Sequence, residues 1–244
     1  MPSGPASLDA VAGLLDELAP IRLAAEWDNV GWQVRLEGGP LRGVLVSLDP
    51  TPATIDEAAR VGANLLVTHH PLFFQPLRRL VAGELVSATA LAAVRAGVSI
   101  FTLHTNLDSA PGGTSWALAD ALGLADGALL EPHAEPGTGY GVIGRAVERP
   151  LEAWAAHVAE RLGPAPLAVS GDPDGAHRTV AVMGGSGASL WERARAAGLS
   201  LIVVDHYASE RPVLERVVDF LRARLECPVV ASSRRTTPWE VPRS

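Results

Sequence analysis

The chain has 244 residues, 48% of them hydrophobic and 19% charged, which is enough apolar material for one large or two small cores and too much for a disordered chain. Its formal charge is −7 and it carries no basic run, so the electrostatic footprint of a nucleic-acid binder is missing; every basic residue is Arg, which removes Schiff-base and Walker-lysine chemistry. No charged and apolar leader pattern opens the sequence and no apolar run approaches membrane-spanning length, so a cytoplasmic protein is expected.

Ser7 is placed to cap a first helix that carries Leu8, Val11, Leu14, Leu15 and Leu18 on one face and stops at Pro20. Glu26 to Trp32 reads as a polar and aromatic loop, in which Trp27 and Trp32 serve either as a core plug or as the wall of a cleft; Gly38-Gly39-Pro40 follows as a turn. Val44–Leu48 is the first clear strand and ends in Asp49. Thr51 caps the next helix, with Pro52 at its first position, and this helix runs through Ile55, Ala58 and Ala59 to Gly62. Asn64–Val67 is a buried apolar run that exits into Thr68-His69-His70-Pro71, where the proline ends the strand. Strand, helix and strand at this spacing form a βαβ unit, which implies parallel pairing and a right-handed crossover. The pattern repeats with a helix from Leu85 to Ala96 closed by Gly97, a strand over Val98–Leu103, and the exit His104-Thr105-Asn106-Leu107-Asp108. After Pro111-Gly112-Gly113, Thr114 or Ser115 opens a helix over Trp116–Leu122.

Residues 126–139 are rich in Gly, Pro and acid and show little periodicity; they read as a connection, which divides the chain into a first lobe at 1–130 and a second, smaller lobe at 131–244. In the second lobe, Val142–Val147 and Arg178–Met183 are strand-like, Ala165–Ser170 is a weaker strand, and Leu151–Leu162 and Ser189–Ala197 are helical. Leu199–Val204 is the last strong strand and delivers Asp205-His206-Tyr207-Ala208-Ser209-Glu210. Ser209 is placed to cap a final helix lined by Val213, Val217, Phe220, Leu221 and Leu225. Cys227 is the only cysteine, so disulfide frameworks, thiolate zinc sites and iron–sulfur clusters are excluded; its position before Pro228 suggests a buried, inert thiol. The tail from Ser232 shows no pattern.

Three strands thus end in side chains with ligand chemistry: His69 and His70, then His104 and Asp108, then His206 with Glu210 one helical turn further on. In parallel α/β sheets ligands bind beyond the carboxyl ends of strands, where exits distant in sequence can meet. Imidazoles and carboxylates without sulfur suit zinc, iron, manganese or nickel, and so many donors exceed the needs of one tetrahedral ion and fit a two-metal site. The competing reading is ordinary polar strand exits satisfied by backbone and water. His133, His157 and His177 are scattered and are read without function. Gly184-Gly185-Ser186-Gly187, between a strand and a helix, either cradles a phosphate or makes a tight turn; Leu190 stands where a dinucleotide fingerprint needs its third Gly.

The segments Trp27-Asp28-Asn29-Val30-Gly31, Thr68-His69-His70-Pro71-Leu72, His104-Thr105-Asn106-Leu107-Asp108 with Gly112-Gly113, Gly184-Gly185-Ser186-Gly187 and His206-Tyr207-Ala208-Ser209-Glu210, in this order, resemble the Nif3 family of GTP cyclohydrolase 1 type 2 homologues. The resemblance implies an α/β fold of two interlinked lobes with mainly parallel sheets and a dinuclear metal centre. It implies that His69 and Asp108 hold one divalent ion, that His70 and His206 hold the other, and that Glu210 bridges. His104 would sit behind the ligands or act as a catalytic acid–base group. The implied activity is metal-dependent hydrolysis of a small molecule, a nucleotide if the cyclohydrolase name applies; the alternative is a non-catalytic, metal-bound oligomeric scaffold or regulatory protein. Hexameric rings are typical of the family. Relative to its pattern, a strand and a helix with a Thr-Gly-acid turn are missing between Gly187 and His206, so a shortened second lobe is expected, and Asp205 replaces a common Gly.

Overall fold

The computed structural model describes residues 7–37, 39–163, 168–187 and 190–236. Its first unit extends to Ala110 and resumes over Leu214–Thr236; the second covers Pro111 to Val213. Residue 130, where the sequence suggested a division, lies inside a strand.

The first unit is built on β2 (Val44–Ser47), β3 (Leu65–Thr68) and β4 (Ser99–Thr102), four-residue runs in which every residue is buried. Such continuous burial is the pattern of parallel strands covered on both faces. β2 pairs with β3 and β3 with β4, both parallel. The intervening α2 (Pro52–Arg60) is capped as its sequence predicts: Thr51 and Thr54 satisfy each other's backbone N–H groups in a capping box, with Pro52 in the first turn. α3 (Leu85–Ala96) ends at Gly97, whose φ of +66° is left-handed and suits glycine. Leu45, Ile55, Leu66, Ala90, Ala93 and Ile100 join the two helices and the sheet in one core. α1 (Leu8–Leu18) accepts its cap from Ser7, whose hydroxyl receives the Ala10 N–H at 3.1 Å.

Two edge strands escaped the sequence reading. β1 (Gly31–Val34) lies within the stretch read as a loop and pairs antiparallel with β4; it alternates buried and half-buried residues, and Trp32 meets Phe101 edge to face at 5.0 Å. β10 (Val229–Ala231) follows Cys227-Pro228 and pairs parallel with β2 on the other edge, giving the order β1-β4-β3-β2-β10. The helix before β10 is α9 (Pro212–Arg222). Cys227 is half-buried, and burial pushes its thiol pKa up.

In the second unit the pairing is antiparallel, so the mainly parallel expectation holds for the first unit only. β5 (Ala125–Pro132), β6 (Gly139–Pro150) and β8 (Ala176–Val182) form one sheet in that order; β7 (Ala168–Ser170) and β9 (Leu201–Val203) form another. β5 occupies much of the Gly- and acid-rich stretch read as a connection. It folds back on β6 through a short turn closed by His133 N–H and Thr138 C=O, and a hairpin needs no crossover helix. Its helices are α5 (Thr114–Ala121), α6 (Leu151–Leu162) and α7 (Trp191–Ala196). Part of the weak strand proposed at 165–170, and the first residue of the helix proposed at 189–197, lie outside the described residues. Among the described residues no helix is long and apolar enough to cross a membrane.

The segment after β10 is clasped by a buried acid. Glu57 of α2 accepts hydrogen bonds from Ser232 Oγ at 2.5 Å, Ser233 N at 2.9 Å and Ser233 Oγ at 2.6 Å. Burial pushes the Glu57 carboxyl up, but these donors, with Arg234, outweigh it and leave its pKa below the ordinary 4.5. A depressed folded-state pKa contributes stability that is complete above the ordinary value and is lost as pH falls through the depressed one. Glu57→Gln is therefore expected to lose about 1.5–3 kcal/mol at pH 7. In paired urea titrations the difference from wild type should shrink as pH drops below 4.5; a difference independent of pH would show that shape, not charge, holds the clasp.

Candidate metal centre

The first unit supplies its candidate ligands from the carboxyl ends of β3 and β4. Ladder bonding continues one step past β3, with His69 N donating to Ser47 O at 3.1 Å and His70 N to Leu48 O at 2.8 Å. Adjacent residues of a straight strand would point to opposite faces. Here the Thr68 hydroxyl donates to His70 O at 2.9 Å and shares a 2.9 Å hydrogen bond with Thr102, which turns the backbone at the strand end. The two rings come together with centroids 5.1 Å apart, and each lies within 5.6 Å of the His104 ring.

Each ring is fixed through Nδ1. His69 Nδ1 donates to Leu103 O at 2.8 Å; His70 Nδ1 meets Asp49 Oδ1 at 2.7 Å; His104 Nδ1 meets Asp28 Oδ1 at 2.9 Å. A carbonyl or carboxylate can only accept, so the neutral rings carry hydrogen on Nδ1 and the lone pair on Nε2, as in histidines oriented for a metal. The ligand atoms of His69, His70 and His104 all lie within 4.8 Å of one another. Asp108 joins them because α4 (Thr105–Ser109) begins directly after His104; a strand exit was expected there, and the helical turn brings Asp108 Oδ1 to 3.6 Å from His69 Nε2. An ion bonded about 2.1 Å from each ligand atom spans donors up to about 4.2 Å apart, so this spacing fits shared coordination. The donor set is nitrogen and oxygen without sulfur, which suits zinc, iron, manganese or nickel.

Asp28 is the best-anchored acid of the unit. Besides His104 it accepts from Thr105 N at 3.1 Å and Thr105 Oγ1 at 2.5 Å. Burial would raise its pKa, but the hydrogen bonds from His104 and Thr105 prevail and lower it to about 2. The loop carrying it is bolted to the segment after Pro71: Asn29 Nδ2 donates to Phe73 O at 2.7 Å, and Phe73 N donates to Gln33 Oε1 at 3.0 Å. Buried Asn106 ties the start of α4 to the end of α1 through Ala19 O at 2.6 Å. The two tryptophans take different parts: Trp32 packs on Phe101, whereas Trp27 is 64% exposed, leans on Phe74 at 5.8 Å and stands edge-on to His104 at 6.3 Å. Asp49, which the sequence reading does not include among the site residues, follows β2 at the position that His70 takes after β3, so the same strand-exit rule points to it.

The second unit carries its candidates on α8 (His206–Glu210), where His206 Nε2 meets Glu210 Oε1 at 2.8 Å and Glu210 is buried. Ser209 lies inside this helix rather than capping the next one; its hydroxyl donates to His206 O at 2.8 Å and accepts the Gly185 N–H at 3.1 Å. The glycine turn packs directly on α8. A Cβ on Gly185 would sit 3.0 Å from Glu210 Oε1 at a φ of +80°, and one on Gly184 would sit 2.6 Å from Thr114 Cγ2. Gly184 N is itself given to Ser115 Oγ at 3.3 Å. Two N–H groups of the turn are thus committed to serines, and close approach accounts for its glycines. Between Gly187 and His206 the described residues hold one helix, α7, and one strand, β9.

The profile of the Duf34/NIF3 (NGG1p interacting factor 3) family matches residues 6–203, and so ends just before the His206–Glu210 helix. A "GTP cyclohydrolase 1 type 2 homolog" of Streptomyces coelicolor is 40% identical over 199 residues, covering 79% of this chain and 70% of that protein. One of Clostridium perfringens is 27% identical over 260 residues and covers 96% and 98%. A Bacillus cereus protein related to NIF3 superposes with a TM-score of 0.89 at 21% identity, over 98% of this chain and 100% of that one, which shows a shared fold. The chain belongs to the Duf34/NIF3 family.

Proposed function

We propose that this protein is a dinuclear metal-dependent hydrolase. The observation that supports it most is the convergence of His69, His70 and His104, each with Nδ1 engaged and Nε2 turned to a common region. In this reading His69 and Asp108 would hold one divalent ion, His70 and His206 would hold a second, and Glu210 would serve both. When bound, two such ions acidify a water and polarise the bond that it attacks. The chain's own residues do the rest. Asp28, ionised above about pH 2, keeps hydrogen on His104 Nδ1. His104 Nε2 then takes a proton from the attacking water and returns it to the leaving group. Asp49 orients His70, and Leu103 O orients His69. The name shared by the relatives suggests a nucleotide substrate: attack at C8 of GTP would open the imidazole ring and release formate. We further propose that the protein works in the cytoplasm as a hexamer of 25.5-kDa chains, which light scattering on a sizing column measures directly.

Metal analysis of protein purified without a metal-binding tag should find close to two ions per chain, falling by about half in His69→Ala and Asp108→Asn. Glu210→Ala should lose metal and turnover together; a variant that keeps both has no bridging glutamate. His104→Gln separates two roles. It should keep its metal while kcat falls about 10²–10⁴-fold, as for a general acid–base group. Metal loss like that of His69→Ala would instead make His104 a ligand. Bound metal without turnover of nucleotides, esters or phosphoesters would leave the non-catalytic scaffold.

A further inference from the structure

The second unit holds a pocket of about 450 Å³ whose entire lining belongs to that unit. Its walls are Trp154 and Val158 of α6, Val180 and Val182 of β8, Trp191 of α7 and Ile202 of β9. Protein interiors seldom leave voids larger than a water molecule, whereas this volume falls in the range of small-molecule sites. Among the described residues no Asp, Glu or Arg lines it. A carboxylate or phosphate placed inside would lose its hydration with no cation to replace it.

Two features make the pocket more than loose packing. His177 lines it, and His177 Nε2 is buried without a hydrogen-bond partner. One end is formed by Gly185, Ser186, Gly187 and Ser209. The same Gly185 packs on the candidate ligands: the position of a Cβ on it is 3.0 Å from Glu210 Oε1 and 3.7 Å from His206 Nε2. Glycine at 185 therefore lets the backbone at this end of the pocket lie directly against the Glu210 carboxylate.

The geometry points to this pocket as the specificity site for an apolar, uncharged acyl group, aliphatic or aromatic, whose ester linkage to the rest of the substrate lies at Gly185. This deepens the hydrolase reading and rests on it for the reaction: water adds OH to the acyl carbon, the ester C–O bond breaks, and the proton goes to the leaving oxygen. This lining does not accommodate the charges of a triphosphate, so any such group of a substrate lies outside the pocket.

The test joins a binding and a kinetic readout on the metal-loaded full chain. The neutral fluorophore N-phenyl-1-naphthylamine should bind at one per chain. Filling the pocket with Ala194→Trp, or with Val180→Trp should the first variant not fold, should weaken that binding by about tenfold or more, with circular dichroism and metal content unchanged. Along p-nitrophenyl esters from acetate to hexanoate, kcat/KM of the wild type should climb towards the limit of about fourfold per buried methylene, and the climb should flatten in the filled variant. Absence of saturable binding, binding unaltered in both filled variants, or a flat ester series in an active wild type would each overturn the assignment. Probe binding that appears only on dilution would show a second copy covering the pocket, and would overturn it too. Probe binding lost on filling, with no ester turned over, sinks the hydrolase reading and leaves the apolar pocket standing.

Discussion

Parallel pairing of β2, β3 and β4 is the constraint from which the first unit's site follows. Parallel strands leave the sheet at one edge, so Asp49, His69 with His70, and His104 are delivered together although they are far apart in sequence. The register is tight: Val46, Val67 and Phe101 lie abreast, and Ser47, Thr68 and Thr102 close the sheet. A slip of one residue would reverse the face of every side chain in the slipped strand and separate Thr68 from Thr102. That hydroxyl pair lies beneath the turn that gathers both histidine rings, so sheet register and ligand placement are one problem.

Burial on both faces leaves these central strands with apolar middles and only Ser or Thr at their ends, and the chain advertises them. The glycines and caps of α2 and α3 are equally plain, since Gly97 and Thr51 serve local backbone needs that no tertiary contact changes. Edge strands are different. β1 holds Gly31 and Gln33, and β10 is a three-residue run behind a proline; neither has a periodicity that stands apart from a loop. β5 is mostly exposed, with Gly127 pressed against Trp116 and Val142, and its strand character comes from pairing with β6 rather than from its own residues. The candidate ligand residues stand out in the sequence because imidazoles at strand ends are chemically conspicuous. Their supports were less so: an Asp or Thr beside a strand end has no signature until the histidine it binds is in place.

The two units use glycine and charge in opposite ways. In the first, charge is collected and held by hydrogen bonds, as at Asp28, which accepts from Asn29 N, His104 Nδ1, Thr105 N and Thr105 Oγ1. In the second, the turn at Gly184–Gly185 gives up side chains so that backbone can lie against Glu210, and its N–H groups are spent on Ser115 and Ser209. A phosphate cradle needs those groups free. The strand–glycine–helix pattern therefore carries two possible meanings in sequence, and hydrogen bonding decides between them here.

The tail that showed no pattern in sequence joins these devices. After β10, Ser232 and Ser233 bind Glu57 on α2, and Thr236 donates to Asp49 Oδ2. Asp49 uses its other oxygen to hold His70. A run of hydrogen bonds thus leads from a buried acid of the core, along an extended segment, to the carboxylate that orients a candidate ligand. Such a carboxylate sets both the angle and the basicity of its imidazole. If Thr236 lets go, Asp49 can rotate about its side chain and His70 loses its fixed bearing, although no ligand has changed. The last described residues of the chain are therefore part of the site's support, and Glu57 is where that support is fastened to the core.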